Sequence, residues 1–265
     1  MKILTKNELL GGTVSSAGAS ANYPARNLLD TFLRLRYQGN VTSDSITIDM
    51  DHTADFNSFF VGYIGNVTDI SVIFFSGDTA QDIAMSFIHV TGDGNTRVFE
   101  PGVIKYFAEG PTDHFNDYSQ THYASRHFPT LTNIDSVRID ITGTSPVYIG
   151  GVAGGVAIDM PPAIGAWRDE YEDNSNVTRS PGGQVQQSYV EPLEVYNFSF
   201  DQIKFAKFNE IKDAVKALGS GGGAWVTFFE ESEAEFPPMY CTINMNRPQR
   251  ERNFYSFNLA FTEAR

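Results

Sequence analysis

The chain has 265 residues and a net charge of −13, with a pI near 4.7. This charge excludes nucleic acid and anionic membranes as favoured partners, because they are negative too. The single cysteine, Cys241, excludes an internal disulfide and a multi-cysteine metal site. The first twelve residues lack the apolar stretch of a signal peptide, and no run is long enough to span a membrane, so we expect synthesis in a cytoplasm without membrane insertion.

The first 160 residues alternate apolar and polar side chains, and 21 Phe and 12 Tyr add to the β propensity of the chain. Turn sequences such as SGD and TGDGN separate the alternating runs. This pattern predicts a mainly β protein whose N-terminal domain, 1–160, is a β-sandwich of the jelly-roll type. The predicted strands are 46–50, 58–64, 70–75, 84–90, 136–141 and 146–151.

The sequence NLLD, at 27–30, precedes the first of these strands and predicts one helical turn. Asn27 and Asp30 are both residue types that cap a helix well. Further along, the glycines of VYIGGVAGG (147–155) follow a strand but lack the Lys-Ser/Thr ending of a phosphate loop. We therefore expect them to allow a close backbone crossing.

Residues 161–190 are rich in Pro, Gly, Asn and Ser, a composition typical of a linker or long loop. Trp167 lies in this segment, and we predict it as an interface residue rather than a core residue.

The remaining chain, 191–265, predicts a small α+β sandwich with one helix. Residues 201–218 place apolar side chains on one helix face, Asp201 is a candidate N-cap, and Gly219 stands where a left-handed C-terminal residue belongs. Strands are predicted at 194–200, 224–230, 239–245 and 254–261. The alternation within these strands places Trp225 and Cys241 in the core.

Two polar clusters could carry chemistry. The segment 113–127 holds Asp113, His114, Asp117, His122 and His127, from which a metal site or a histidine–carboxylate pair could be built. Its spacing matches no known metal pattern, and a surface loop is the better interpretation. The glutamates of 230–236 lack the turn residues of a calcium loop and favour a solvated hairpin loop. We therefore predict no enzyme activity, no metal and no cofactor.

The order NLLD, then Arg36-Tyr37, then ITIDM (46–50) resembles the start of a discoidin-like, or galactose-binding-like, jelly roll. That family has Asn-Leu-Leu/Ile-Asp, an Arg-Trp pair and a strand of the type Ile-Thr-Ile-Asp-Leu; here Tyr37 replaces the Trp and Met50 the Leu. The resemblance covers about residues 15–155. In such a fold we expect Leu28 and Leu29 to close one end of the sandwich, Asp30 and Arg36 to pair at its rim, and Tyr37 to cover the core.

A second resemblance concerns a class of tail proteins of tailed bacteriophages. In these, a Tyr-Ile-Gly segment closes the jelly roll, and a Ser/Arg-Ser-x-Gly-Gly-Gln run, matched here by 179–184, opens a second domain. The C-terminal domain is then similar to the tail-tube or distal-tail fold, a β-sandwich with one helix that assembles in rings. This resemblance implies partners in other copies of the chain and in neighbouring tail proteins, location in the virion, and interface roles for Trp167, Arg179 and Gln184.

Three functions are compared. The first is a non-enzymatic structural subunit of a phage tail tip or baseplate, with ring assembly through the C-terminal domain. The second is a carbohydrate-binding module or adhesin for host surface glycans, with Tyr23, Tyr37, His52 and Tyr123 as candidate ligand residues, each of which could equally pack in the core. The third, a glycan depolymerase, ranks last because no pair of carboxylates is recognisable.

Overall fold

In the computed structural model the chain is mainly β. The structure describes residues 1–30, 36–77, 79–85, 122–161, 168–172, 176–179, 185–188, 193–219, 222–228, 238–246, 248–251 and 253–264. In these residues it has one α-helix, α1 (Phe205–Leu218), and a 3-10 helix (Ala25–Leu29). The strands are β1 (Lys2–Leu4), β2 (Thr13–Ser16), β3 (Tyr37–Gly39), β4 (Ser43–Ser76), β5 (Thr79–Met85), β6 (His122–Ile149), β7 (Gly151–Gly155), β8 (Ile158–Asp159), β9 (Arg168–Glu172), β10 (Asn176–Arg179), β11 (Val185–Ser188), β12 (Leu193–Lys204), β13 (Gly223–Thr227), β14 (Met239–Met245), β15 (Gln249–Glu251) and β16 (Phe254–Glu263). None of the helices in this described part is long and apolar enough to cross a membrane.

The chain divides into two compact units. The jelly-roll unit comprises Lys6–Ala157 and Thr227–Pro238, and the C-terminal unit comprises Met1–Thr5, Ile158–Val226 and Met239–Arg265. The boundary at 157/158 lies close to the predicted one near 160. The first five residues go with the C-terminal unit because β1 pairs with β8 and lies beside β13 in that unit's sheet.

Among the described residues, the jelly-roll unit contains a six-stranded sheet. Its long strands β4 and β6 pair with each other along two separate stretches. Residues 136–142 of β6 pair on one side with 43–49 and on the other with 69–75 of β4. Residues 58–61 of β4 pair with 124–127 of β6 and also with β7. Register shifts between Asp49 and Asp69 separate the two paired stretches of β4. Such irregularities let a strand bend.

The core of this unit follows directly from the alternation in the sequence. Ile46 and Ile48 are buried while Asp49 is exposed, which confirms the half-buried strand predicted from ITIDM. Three phenylalanine rings pack together in this core. The ring centroid of Phe74 lies 5.3 Å from that of Phe56 and 5.8 Å from that of Phe59. The predicted strands at 58–64, 70–75 and 136–141 are also confirmed. The strand predicted at 146–151 is interrupted at Gly150, between β6 and β7, and most of 84–90 lies outside the described residues.

The helical turn predicted from NLLD is present as the 3-10 helix. Leu28 is fully buried and Leu29 packs against the same core, as the discoidin-like resemblance implies. Neither predicted residue is the N-cap, which is Pro24 and makes no side-chain cap; Asp30 is the C-cap, and its backbone nitrogen donates to the carbonyl of Asn27 at 3.2 Å. The Asn27 side chain instead donates to the carbonyl of Arg36 at 3.0 Å.

At Gly154 the glycine-rich segment packs closely against side chains, rather than against a crossing backbone as predicted. A Cβ atom there would lie 2.8 Å from Cε1 of Phe56 and 3.0 Å from Cδ2 of Phe59. A side chain at this position would therefore overlap the ring group of the core.

The C-terminal unit contains an eight-stranded sheet in the order β8-β1-β13-β14-β16-β12-β9, with β15 paired to β16. Phe257, Leu259 and Phe261 of β16 are buried on one face. Trp225 and Cys241 lie in the core, as predicted. Helix α1 belongs to the same unit, and its Phe208 stacks on the ring of Tyr255 at 4.1 Å.

The start of α1 differs from the prediction. Residues 201–204 continue β12, because Ile203 pairs with Tyr255 after a bulge that follows Phe200. Asp201 therefore does not cap the helix; it accepts hydrogen bonds from the backbone of Gln202 at 2.8 Å and from the hydroxyl of Ser256. The C-cap is Gly219 as predicted, with the positive φ of 67° that favours glycine, although its ψ of −169° is extended.

The prediction of a linker over 161–190 misses three short strands. β9 pairs with β12 at the edge of the C-terminal sheet, and β10 and β11 form a separate two-stranded hairpin. Their sequences RDEYE, NVTR and VQQS contain few apolar residues, so no buried face shows in the alternation.

Candidate functional site

The jelly-roll unit presents an arginine between two tyrosines, which we call the Tyr23–Arg36–Tyr148 cluster. The guanidinium carbon of Arg36 lies 4.3 Å from the ring centroid of Tyr148 and 5.7 Å from that of Tyr23. Tyr23 is 38% exposed, and Arg36 and Tyr148 are half-buried. Both distances are within the range in which a cation is attracted to an aromatic face, so the arginine orients both rings.

Backbone pairing brings these three residues together from distant parts of the sequence. Gln38 pairs in register with Tyr148 across β3 and β6, and its backbone nitrogen donates to the carbonyl of Tyr23 at 3.2 Å. Asn27 holds the carbonyl of Arg36. Because side chains alternate along a strand and Tyr37 points into the core, Arg36 and Gln38 lie on the outward side with Tyr148.

Exposed amides border the cluster. Nε2 of Gln38 donates to Oδ1 of Asn40 at 3.0 Å, and Nδ2 of Asn66 donates to the carbonyl of Pro146 at 2.8 Å. Gly65 pairs with Tyr148, and a Cβ atom there would lie 3.4 Å from the Tyr148 ring. The surface thus combines aromatic faces with amide and guanidinium groups, which donate and accept hydrogen bonds without a net negative charge.

Tyr37, one of the predicted ligand residues, is fully buried. Its hydroxyl donates to the buried carboxylate of Asp44, which also accepts from the hydroxyl of Ser16. Burial raises the pKa of Tyr37, and the hydrogen bond to Asp44 raises it further. Tyr37 therefore packs in the core, and its buried side chain is not accessible to a ligand in this conformation. It is no longer a candidate ligand residue.

His52, the third predicted ligand residue, forms a separate exposed group with two carboxylates. Its Nδ1 lies 2.6 Å from Oδ1 of Asp51, and its Nε2 lies 3.3 Å from Oε2 of Glu8. These contacts raise the pKa of His52, with the hydrogen bond to Asp51 as the largest cause. Both ring nitrogens face acceptors, so the imidazolium form fits this arrangement.

The other predicted site residues lie at positions where the side chain is not described. Tyr123 is in β6 and Arg179 is in β10, paired in register with Val185, but neither side chain is among those described. Trp167 and Gln184 lie outside the described residues.

Part of the histidine-rich segment can be located. Asp113, His114 and Asp117 lie outside the described residues, and His122 is placed only by its backbone. His127 is half-buried, with Nδ1 2.8 Å from the hydroxyl of Ser58 and Nε2 3.0 Å from that of Thr227. Within the described ranges, no group of three or more His, Cys, Asp or Glu side chains is placed to hold a metal.

Sequence reasoning missed Tyr148 as a surface residue. The strand at 146–151 was predicted, and alternation from the apolar Val147 and Ile149 assigns Tyr148 to the outward side. The alternation predicts that Tyr148 is exposed, but it does not predict that Arg36 lies beside it. These two residues come together only through the pairing of β3 with β6.

No family model and no curated protein matches the chain. Solved structures to which it is similar include the module CpGH89CBM32-4 produced by Clostridium perfringens, at 11% identity and a TM-score of 0.38, over 57% of this chain and 99% of that one. Another is a chitosan-binding module of a chitosanase/glucanase from Paenibacillus sp. IK-5, at 13% identity and a TM-score of 0.38, over 56% and 96%. A third is the lectin domain of lectinolysin complexed with Lewis B antigen, at 11% identity and a TM-score of 0.39, over 57% and 96%.

Proposed function

We propose that the protein is a non-enzymatic carbohydrate-binding protein whose jelly-roll unit binds a glycan at the Tyr23–Arg36–Tyr148 cluster. The observation that carries the proposal is the geometry of the cluster, where two tyrosine rings flank one guanidinium on the outward side of β3 and β6. The proposed partner is a host surface glycan.

The chemistry of a sugar fits such a surface. A pyranose ring has an apolar face of C–H groups, which packs on an aromatic ring, and a rim of hydroxyls, which need directional hydrogen bonds. Tyr23 and Tyr148 supply the rings. Arg36 and the amide of Gln38 supply the polar groups, and the cation–aromatic contacts limit the side-chain entropy that binding would otherwise cost.

The test is a glycan array with the full chain, followed by calorimetry with any glycan retained. Tyr148→Ala and Tyr23→Ala are expected to weaken binding by tenfold or more, a loss of about 1.4 kcal/mol or more for each. Phe254→Ala is the matched control, because it removes an exposed aromatic ring from the C-terminal unit. Retention of no glycan, or equal affinity in all variants, would contradict the proposal.

A second function is favoured by a different observation, the order of elements in the C-terminal unit. The succession of strand β12, helix α1, Gly219 and strands β13, β14 and β16 is the order that the phage-tail resemblance implies. We infer a structural subunit of a virion tail, at the tail tip or baseplate, in contact with other copies and with neighbouring tail proteins. Negative-stain electron microscopy of the purified chain tests it: closed rings support the inference, and single particles at micromolar concentration oppose it.

A further inference from the structure

The C-terminal unit has a corner where aromatic and basic side chains are exposed together. Phe205 is 56% exposed and Phe254 is 42% exposed. Phe254 pairs in register with Lys204, and Tyr255, the next residue, pairs with Arg250. Lys204 and Arg250 are exposed as well. We call Lys204, Phe205, Arg250 and Phe254 the basic-aromatic corner.

The main aromatic contact between α1 and Tyr255 is not made by the exposed Phe205. Phe208 provides the stacking of α1 on Tyr255 at 4.1 Å, whereas Phe205 lies at 6.0 Å from the same ring at a tilt of 36°. Exposed aromatic residues and arginines are both enriched at the centre of protein interfaces. A partner is therefore expected to cover the corner.

The distribution of charge indicates what that partner is. The residue ranges of the jelly-roll unit hold 20 acidic and 8 basic residues, whereas those of the C-terminal unit hold 12 acidic and 11 basic residues. Almost all of the net charge of −13 thus belongs to the jelly-roll unit. In the sequence next to the corner, the segments 204–207 and 247–252 reverse the sign, with five basic residues and one acidic residue.

We propose that the basic-aromatic corner binds the acidic jelly-roll unit of a second copy of this chain. The chain itself carries an acidic jelly-roll unit and basic segments next to the corner, so electrostatic attraction favours contact of the corner with a jelly-roll unit over contact of two jelly-roll units. A contact between two different surfaces is heterologous, and repetition of it produces a ring or an open chain of copies. This contact does not depend on glycan binding. It would supply the contact surfaces for the assembly of a tail subunit inferred above.

The surface offered by the jelly-roll unit includes an end where several carboxylates are found. Asp49 is exposed and pairs with Ser136, next to Asp135, and the exposed Asp55 accepts from the backbone of Asn133 at 3.2 Å. Phe75, whose ring is half-buried, also pairs in register with Ser136 and so lies close to these carboxylates. Exposed carboxylates complement the cations of the corner.

Sedimentation of the full chain from 1 to about 100 µM, at low and high salt, tests the association. The expected result is self-association that weakens at high salt, because the charged part of the contact is screened. Phe205→Ala/Phe254→Ala is expected to raise the dissociation constant by tenfold or more, and Lys204→Glu/Arg250→Glu by at least as much. Circular dichroism checks that each variant is folded.

Lys212→Glu/Lys216→Glu is the matched control. It changes the net charge by the same amount on exposed positions of α1 that lie outside the corner, and it is expected to leave most of the association intact. Zero-length cross-linking of a mixture of light and isotope-labelled chains locates the contact. Intermolecular links from Lys204 to jelly-roll carboxylates are expected.

Three results would overturn the proposal: a monomer at every concentration, equal loss of association in the control, or intermolecular links from Lys204 only to the C-terminal unit. Glycan retention by the corner variants separates the two proposals. If these variants bind glycan but no longer associate, the corner acts in assembly alone, and if Tyr148→Ala associates but binds no glycan, the two surfaces are independent.

Discussion

The hydroxyl of Tyr37 donates a hydrogen bond to the carboxylate of Asp44, and both side chains are buried in the jelly-roll unit. Asp44 also accepts from the hydroxyl of Ser16, from the backbone nitrogen of Gly18 at 3.1 Å and from that of Ser45 at 2.9 Å. Four donors therefore surround a carboxylate that is only 7% exposed. Burial of this group is tolerated because its lone pairs are satisfied.

Asp44→Asn tests this arrangement. An amide turns one acceptor oxygen into a donor, so at least one of the surrounding donors is left buried without an acceptor. We expect the free energy of unfolding to fall by about 1–3 kcal/mol, measured by urea denaturation at pH 7. Ser45→Ala is the control, because its side chain is exposed and the backbone nitrogen that binds Asp44 remains. Equal stability of Asp44→Asn and the native chain would show that the hydrogen bonds are not needed.

Stability is expected to fall at alkaline pH. Burial raises the folded-state pKa of Tyr37, of Tyr240 and of the Cys241 thiol above their ordinary values. A raised pKa in the folded state means that the full stability is present below the unfolded pKa, about 8.5 for Cys and 10 for Tyr, and is lost as pH rises above it. Each group contributes a slope of at most about 1.4 kcal/mol per pH unit.

Tyr37→Phe separates these contributions. Phenylalanine has no proton to lose, so above pH 10 the variant is expected to lose stability less steeply than the native chain, even though it is less stable at pH 7. Urea denaturation between pH 7 and 11 measures both profiles. Parallel profiles over this range would show that Tyr37 makes no contribution to the pH dependence.

The strands and the core could be predicted where alternation is strict. Ile46 and Ile48 are buried as their spacing indicates, and 239–245 forms a strand with the predicted bounds. The start of α1 was misplaced because the pattern of apolar residues from 203 onward suits either a strand or a helix, and tertiary pairing of Ile203 with Tyr255 decides for the strand. The Tyr23–Arg36–Tyr148 cluster had no local signal, since its members meet through pairing between residues more than a hundred positions apart.

The titration of His52 is the third prediction. The hydrogen bond to Asp51 and then that to Glu8 raise the pKa of His52. Stability from this group is therefore fully present below the ordinary pKa of about 6.5 and is lost as pH rises through the raised value. NMR titration should show a raised pKa, which Asp51→Asn lowers most and Glu8→Gln lowers less. Glu210→Gln, on α1, is the control and should leave the titration unchanged; an equal response to all three variants would contradict the assignment.

Cys241 is expected to be unreactive in the folded protein. It is fully buried in β14, its Sγ donates to the carbonyl of Ala224 at 3.7 Å, and burial raises the pKa of its thiol, so little reactive thiolate is present. A colorimetric thiol assay should detect no thiol at pH 8 in buffer and one thiol per chain in denaturant. Rapid labelling in buffer would show that β14 opens locally.

Substitution by alanine is expected to lower the free energy of unfolding at Gly154 but to leave it nearly unchanged at Gly65. At Gly154 the new Cβ would lie 2.8 Å from Cε1 of Phe56 and 3.0 Å from Cδ2 of Phe59, so the rings must move, and we expect a loss of about 1–3 kcal/mol. At Gly65 the nearest atom is 3.4 Å away, on the Tyr148 ring, which is an ordinary contact, so Gly65→Ala is expected to stay within about 0.5 kcal/mol of the native chain.

Thermal and urea denaturation of the two variants measure the difference directly. Both glycines lie in the jelly-roll unit and pair with β4 or belong to it, so the comparison holds the secondary structure constant. A larger loss for Gly65→Ala than for Gly154→Ala would place the ring group of Phe56 and Phe59 elsewhere than the structure has it. The expected order follows from the space at each Cβ alone, because alanine adds the same apolar surface at both positions.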